Sequence, residues 1–178
     1  MYRPSTGGKL QGMVEMHLAA VRVELPTNTP ILLLQEVTGA RRTLPIYIGA
    51  AEATAIAYAL QGVVTARPMT HDLLRDMLNE LGAVVDSVVI TELRDSTFYA
   101  EIRMTLAGQG HVVSARPSDA IALAARLGTT IFAEDALLDA EGVVLQNDEE
   151  GEPSGDQDDL VVQFREFIEG IRPEDFSS

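Results

Sequence analysis

The stretch VVDSVVITELRDSTFYAEIRMTLAGQGHVVSARPSDAIALAARLG, residues 84–128, decides the fold class. Val84 to Leu93 is β-branched and strand-like, and Arg94-Asp95-Ser96 turns the chain. Phe98, Ala100, Ile102, Met104 and Leu106 then alternate with Tyr99, Glu101, Arg103 and Thr105, the period-two pattern of a half-buried strand. Ala107-Gly108-Gln109-Gly110 turns again into His111 to Ala115, after which Ser118 is placed to cap a helix running to Leu127, with Gly128 as its stop.

Working outward, Met13 to Leu25 and Ile31 to Leu34 read as two strands separated by the Pro26-to-Pro30 break. Leu44, Ile46 and Ile48 mark a third, in which Pro45 removes a backbone donor and points to an edge or irregular position. Glu52 to Gln61 is an alanine-rich helix ended by Gly62. Thr70 can cap a second helix with Leu73, Leu74, Met77, Leu78 and Leu81 on one face and His71, Asp72, Arg75, Asp76 and Asn79 on the other. Ile131 to Ala133 is a short strand. The expectation is a single compact α+β domain over residues 1–145, its mostly antiparallel or mixed sheet packed by three helices. An acidic linker over 146–159 and an amphipathic helix with its tail over 160–178 follow it, the helix built on Leu160, Val161, Phe164, Phe167, Ile168 and Ile171.

The chain carries 13 Lys+Arg against 27 Asp+Glu, net −14, which excludes a standing non-specific grip on nucleic acid or anionic lipid. Residues 1–145 contribute −5 and residues 146–178 contribute −9, so a local basic site on the body stays compatible with that total. With no cysteine, disulfides, thiolate nucleophiles and cysteine-rich metal sites are absent. No run approaches ~18 apolar residues and the start is polar, so the expected compartment is the cytoplasm, without membrane contact.

Two segments echo each other: Arg67-Pro68-Met69-Thr70-His71-Asp72 and Arg116-Pro117-Ser118-Asp119, each setting Arg-Pro ahead of a hydroxyl and an acidic first turn. A helix N-terminus offers free N–H groups, and a guanidinium fork matches phosphate oxygens, so together they can bind a phosphodiester. The alternative is that the acids complement the helix dipole while the arginines pair with local carboxylates. His71, at the start of its helix, is the candidate general base, since the positive dipole end favours the neutral imidazole; otherwise it is a solvated or hydrogen-bonded histidine. Asp72, Asp119 and Glu52 are candidate ligands for Mg2+ or Mn2+, although Arg75 could neutralise Asp72 and Asp76 without a metal. His17 and His111 lie in strands, and no zinc spacing, glycine-rich phosphate loop or Gly-x-Ser-x-Gly elbow is present.

The order of Leu44-Pro45-Ile46-Tyr47-Ile48-Gly49, Glu52-Ala53, Arg67-Pro68, Thr70-His71-Asp72-Leu73-Leu74, Leu81-Gly82, Phe98-Tyr99-Ala100 and Arg116-Pro117-Ser118-Asp119-Ala120-Ile121-Ala122-Leu123-Ala124 resembles the bifunctional nuclease domain family, over about residues 14 to 133. The resemblance implies a compact α+β domain and DNase and RNase activity. Where the family often has an acid two residues before the second Arg-Pro, this chain has Ser114, which removes one possible metal ligand.

The resulting expectation is hydrolysis of DNA or RNA phosphodiesters. His71, Asp72, Asp119 and Glu52 would be catalytic, the three acids would hold a divalent ion, and Arg67, Arg116, Ser118 and Thr70 would bind substrate. The alternative is a non-catalytic regulatory protein that binds an anionic ligand or partner. The alanine-rich helices and the amphipathic C-terminal segment also suggest a homo-oligomer, a dimer being favoured.

Overall fold

The computed structural model describes residues 12–144, so the acidic linker and the amphipathic segment expected over 146–178 lie outside the described residues. In chain order the elements are β1 (Met13–Glu24), β2 (Thr29–Glu36), β3 (Arg42–Tyr47), α1 (Ala50–Leu60), α2 (Thr70–Glu80), β4 (Val84–Arg94), β5 (Thr97–Leu106), β6 (Gln109–Ala115), α3 (Pro117–Leu127), β7 (Ile131–Glu134), α4 (Asp135–Glu141) and β8 (Val143–Val144). They form an α+β domain on one eight-stranded mixed sheet of order β6-β5-β4-β7-β1-β2-β3-β8. Only the β4–β7 pair is parallel. No helix among the described residues is long and apolar enough to cross a membrane.

The period-two reading becomes one buried row along β2 and at Ala100 and Ile102 of β5, whereas β4 buries Val88, Val89 and Ile90 in succession and β6 buries no residue. Leu32 and Leu34 of β2 face the core with Leu44 and Ile46 of β3, while Val88 and Ile90 of β4 pair with Ile102 and Ala100 of β5. α3 lies on β4 and β5, and α1 packs on β1, β2 and α3. The small residues Ala53, Ala57, Ala120, Ala122 and Ala124 are all buried, which lets the helices approach closely. Pro45 behaves as its missing N–H requires: β8 pairs only with Arg42 and Thr43, so beyond them β3 is an open edge. A short fourth helix, α4, was not legible in the sequence; it contributes Leu137 and Leu138 to the core.

Burial of Glu36 closes this edge. It ends the inward row of β2, is 3% exposed, and accepts hydrogen bonds from Arg42 N (2.7 Å), Nε (3.0 Å) and Nη2 (2.6 Å). Arg42 also pairs with Asp135 and Asp139 of α4, so one guanidinium ties the β2–β3 hairpin to the helix beyond β7. The hydrogen bonds from Arg42 outweigh the opposing effect of burial and hold the Glu36 carboxyl below its usual range.

Helix α2 differs from expectation. Its amphipathic pattern predicts an apolar face turned to the core, but Leu73, Leu74, Met77 and Leu81 are 52%, 37%, 54% and 66% exposed, and His71 is its one buried residue. The helix docks on α3 through polar groups instead. Arg126 of α3, with a side chain only 4% exposed, donates Nε to Asp72 Oδ1 at 2.6 Å and Nη1 to the Ala122 carbonyl at 2.9 Å. Asp72 also accepts from Met69 N–H at 3.1 Å, which caps the first turn of α2. Leu78 is the apolar residue of this helix that packs against the core cluster.

Removing Arg126 therefore strands Asp72. Arg126→Met is expected to cost about 2–3 kcal/mol, below the full penalty for breaking a buried pair, because the Asp72 side chain keeps 21% exposure. Asp72→Asn added to that variant should restore more than half of the loss, and chemical denaturation of the single and double variants checks both. A second expectation concerns acid. Burial alone would raise the Asp72 carboxyl, but the hydrogen bonds from Arg126 and Met69 leave it below its usual range, as Arg42 does for Glu36. Groups whose folded pKa is depressed stabilise the fold above their unfolded values, near pH 4, and lose that contribution as pH falls through the folded values. Thermal unfolding should show these two pairs costing nothing from pH 7 to about 5, with Tm falling steeply below pH 4. A smaller acid loss in Glu36→Gln would mark its share.

Candidate active site

Three helix starts converge on one open cavity of about 240 Å³, lined by Ala51, Glu52 and Ala55 of α1, Met69, Thr70 and His71 at the start of α2, and Arg116 and Asp119 at the start of α3. The convergence follows from local sequence. Each helix has its acid at the third position after the cap: Glu52 after Gly49, Asp72 after Met69, Asp119 after Arg116. An acid there faces the free N–H groups and the positive end of the dipole. Thr70 and Ser118, expected as caps, are instead the first and second residues of their helices, and Pro117 takes the first position of α3, where its missing donor is harmless. Gly49 adopts φ −75, so its conformation does not demand glycine; a Cβ there would meet Glu52 Oε2 at 2.2 Å. The glycine makes room for the Glu52 carboxylate to lie back over the start of α1.

Arg116 organises the cavity. Its Nε donates to Asp119 Oδ2 at 2.7 Å, and its Nη2 donates to Asp119 Oδ1 at 3.1 Å and to Glu52 Oε1 at 2.8 Å. The side chain is still 66% exposed, and its Nη1 makes no hydrogen bond among the described residues. His71 Nε2 lies 3.1 Å from Asp119 Oδ1, with the ring largely buried. Burial would raise the Asp119 carboxyl, but hydrogen bonds from Arg116 and His71 prevail and hold it below its usual range. The neighbouring carboxylate of Asp119 in turn raises Arg116. An ionised Asp119 only accepts hydrogen bonds, so Nε2 of His71 carries the proton and the lone pair of a neutral ring sits on Nδ1.

The structure thus brings together Glu52, Thr70, His71, Arg116 and Asp119. It does not bring Arg67, Asp72 or Ser118 into the cavity lining. The two Arg-Pro segments differ in register: Arg116 is the cap of α3, whereas Arg67 lies two residues before the cap of α2, exposed and without an ion pair among the described residues. Asp72 is committed to Arg126 and to the Met69 N–H, Asp76 takes Arg75, and Ser118 is buried beneath the start of α3. Both remaining carboxylates of the expected metal set, Glu52 and Asp119, are occupied by Arg116. Among the described residues no group of three His, Asp or Glu side chains is placed to hold a metal ion. In this arrangement a divalent ion would have to compete with the Arg116 guanidinium for Glu52 and Asp119.

Arg126 is not among the residues that the sequence motifs single out, and its signal is its setting. An arginine in the otherwise apolar run Ala120 to Leu127 must find a buried acceptor or leave the core face. His17 and His111 lie on β1 and β6, exposed and away from the cavity lining.

Comparison with known proteins agrees with this arrangement of motifs. Two uncharacterized proteins from strains of Mycobacterium tuberculosis are each 42% identical over 167 residues, covering 93% of this chain and 99% of theirs. Bifunctional nuclease 2 of Oryza sativa subsp. japonica is 26% identical over 117 residues, which are 64% of this chain and 36% of that protein. The profile of the bifunctional nuclease domain matches residues 32–146, which include most of β2, all of β3 through β8 and every residue lining the cavity. With well over half of its length under that profile, the chain belongs to the bifunctional nuclease domain family.

Proposed function

We propose that the cavity at the three helix starts hydrolyses phosphodiester bonds of DNA or RNA. The observation that carries this reading is His71, buried with Nε2 against Asp119 and next to the exposed Arg116 guanidinium. In that arrangement Nδ1 takes a proton from the attacking water, and the Asp119 carboxylate stabilises the imidazolium that forms. Arg116, through Nη1 and the donors it can exchange from Glu52, meets the charge that grows on the phosphate oxygens. The N–H groups at the starts of α1, α2 and α3 add their dipoles to the same point.

Cavity size bears on substrate class. About 240 Å³ lies below the ~300–1,000 Å³ of pockets that enclose drug-sized ligands. A phosphate-sized group fits within it, and because the cavity is open to solvent the rest of a nucleotide can extend outside, which leaves the bases unread. Contact limited to phosphate favours action on DNA and RNA alike. We assign the exposed Arg67, two residues ahead of the cap of α2, to a neighbouring phosphate on the same strand.

A second reading, an anion-binding regulatory protein, is favoured by one feature. Arg116 is already bonded to two carboxylates, so a ligand could exchange for them without any bond being cleaved.

Cleavage of single- and double-stranded DNA and RNA by purified protein separates the two. With identically prepared variants, His71→Gln should lower the rate about 10²–10⁴-fold, and Arg116→Met should lower kcat as well as raise KM, since Arg116 meets the developing charge and holds Asp119. Activity should persist in a chelator, since Arg116 already holds the two carboxylates; complete dependence on Mg2+ or Mn2+ would require Arg116 to leave Glu52 and Asp119. Equal cleavage by wild type and His71→Gln removes His71 as the base. No cleavage by any preparation, together with nucleotide binding that Arg116→Glu abolishes, establishes the second reading.

A further inference from the structure

Helix α2 is packed inside out. His71, Asp72, Arg75 and Leu78 are the residues it turns toward the domain, while Leu73, Met77 and Leu81, spaced i, i+4 and i+8, form a continuous stripe on the opposite side. Leu74 flanks the stripe at 37% exposure. Because α1 and α2 both begin at the cavity, the connection between them runs back beside the helices, and it carries Val63 and Val64, exposed by 45% and 94%. Leu73, Leu74, Met77 and Leu81 by themselves leave on the order of 400 Å² of apolar surface exposed, about the apolar share of a small two-sided interface, in which a little over half of the buried area is apolar. Scattered exposed leucines need no explanation, but an apolar stripe opposite a polar docking face does.

We propose that this surface is covered by a second copy of the chain, with the two α2 helices meeting antiparallel about a two-fold axis at Met77. A stripe built on three residues four apart complements itself in that orientation. Leu73 of one copy faces Leu81 of the other, and Met77 faces Met77. Such an interface is isologous and closes at two subunits. Asp72 and His71 are on the inner side, engaged by Arg126 and Asp119, while the exposed Asp76 and Glu80 border the stripe and fall at the rim of such a contact. The cavities then lie at the two far ends of the helix pair, with His71 about 9 Å along the axis from Met77 in each copy. The interface is independent of whether the cavity cleaves or only binds.

The absence of cysteine from the chain makes the geometry directly testable. Light scattering on the whole protein should give twice the 19.2 kDa of one chain. Met77→Glu should give the single-chain mass with an unchanged circular dichroism spectrum, since Met77 is 54% exposed in the subunit, and a Tm that is lower and no longer rises with protein concentration. Under mild oxidation Met77→Cys should form a disulfide-linked dimer on the order of tenfold faster than Val112→Cys, a control at a 60% exposed position on β6. Wild-type protein at the single-chain mass overturns the proposal, whether residues 145–178 or another protein covers the stripe. A dimer that Met77→Glu leaves intact also overturns it, and crosslinking no faster than the control overturns the two-fold pairing.

Discussion

The ion pair between Arg126 and Asp72 sets the placement of α2, and much else depends on it. An arginine side chain with 4% exposure must be matched, and Asp72 matches it at 2.6 Å. That bond rotates α2 so that its polar side meets α3. His71, the residue before Asp72, is then carried onto Asp119, and the leucines and methionine of the same helix are turned outward. A site and a surface both follow from one buried charge. This explains why the helix does not obey its own amphipathic pattern: its apolar residues would gain from burial, but an unpaired Arg126 in the core would cost more.

The cavity is an exercise in charge balance. Three helix N-termini point positive partial charge at one place, and each helix places an acid where it offsets that charge. Arg116 then draws two of the three acids together, so the cavity holds two carboxylates, one guanidinium and one imidazole, with the helix dipoles around them. An anion entering it must compete for Arg116, and one of the two groups it competes with, Asp119, is the one that holds His71 in place. Binding and the orientation of the base are therefore coupled through a single guanidinium. The net charge of −14 bears on the approach of nucleic acid from a distance; the cavity acts at contact, where local donors dominate.

The strands were legible because burial on one face imposes alternation, as in Phe98 to Leu106, and the stop of α3 was legible because Gly128 is left-handed at φ 67. The short α4 was not, since seven residues with two buried leucines carry no period long enough to recognise. At the site, His71, Asp119, Arg116, Glu52 and Thr70 could be singled out because each sits at a helix start and carries the right chemistry. Asp72 could be singled out too, but by the same rule, and nothing local distinguishes an acid facing a cavity from one facing Arg126. The two Arg-Pro segments look equivalent in sequence, and a two-residue shift in where the helix begins makes one of them the cap of α3 and leaves the other outside the cavity.

The sequence by itself determined the α+β class, the order of strands and helices along the chain, and the family, because these depend on local periodicity, turn chemistry and the order of motifs. Only the tertiary structure decided which acid meets which arginine, which face of α2 is buried, and whether the carboxylates stand free for a metal. Those outcomes depend on residues 54 positions apart for Asp72 and Arg126 and 64 apart for Glu52 and Arg116. Partners so distant are chosen by the packing of whole helices, and no local pattern encodes that choice.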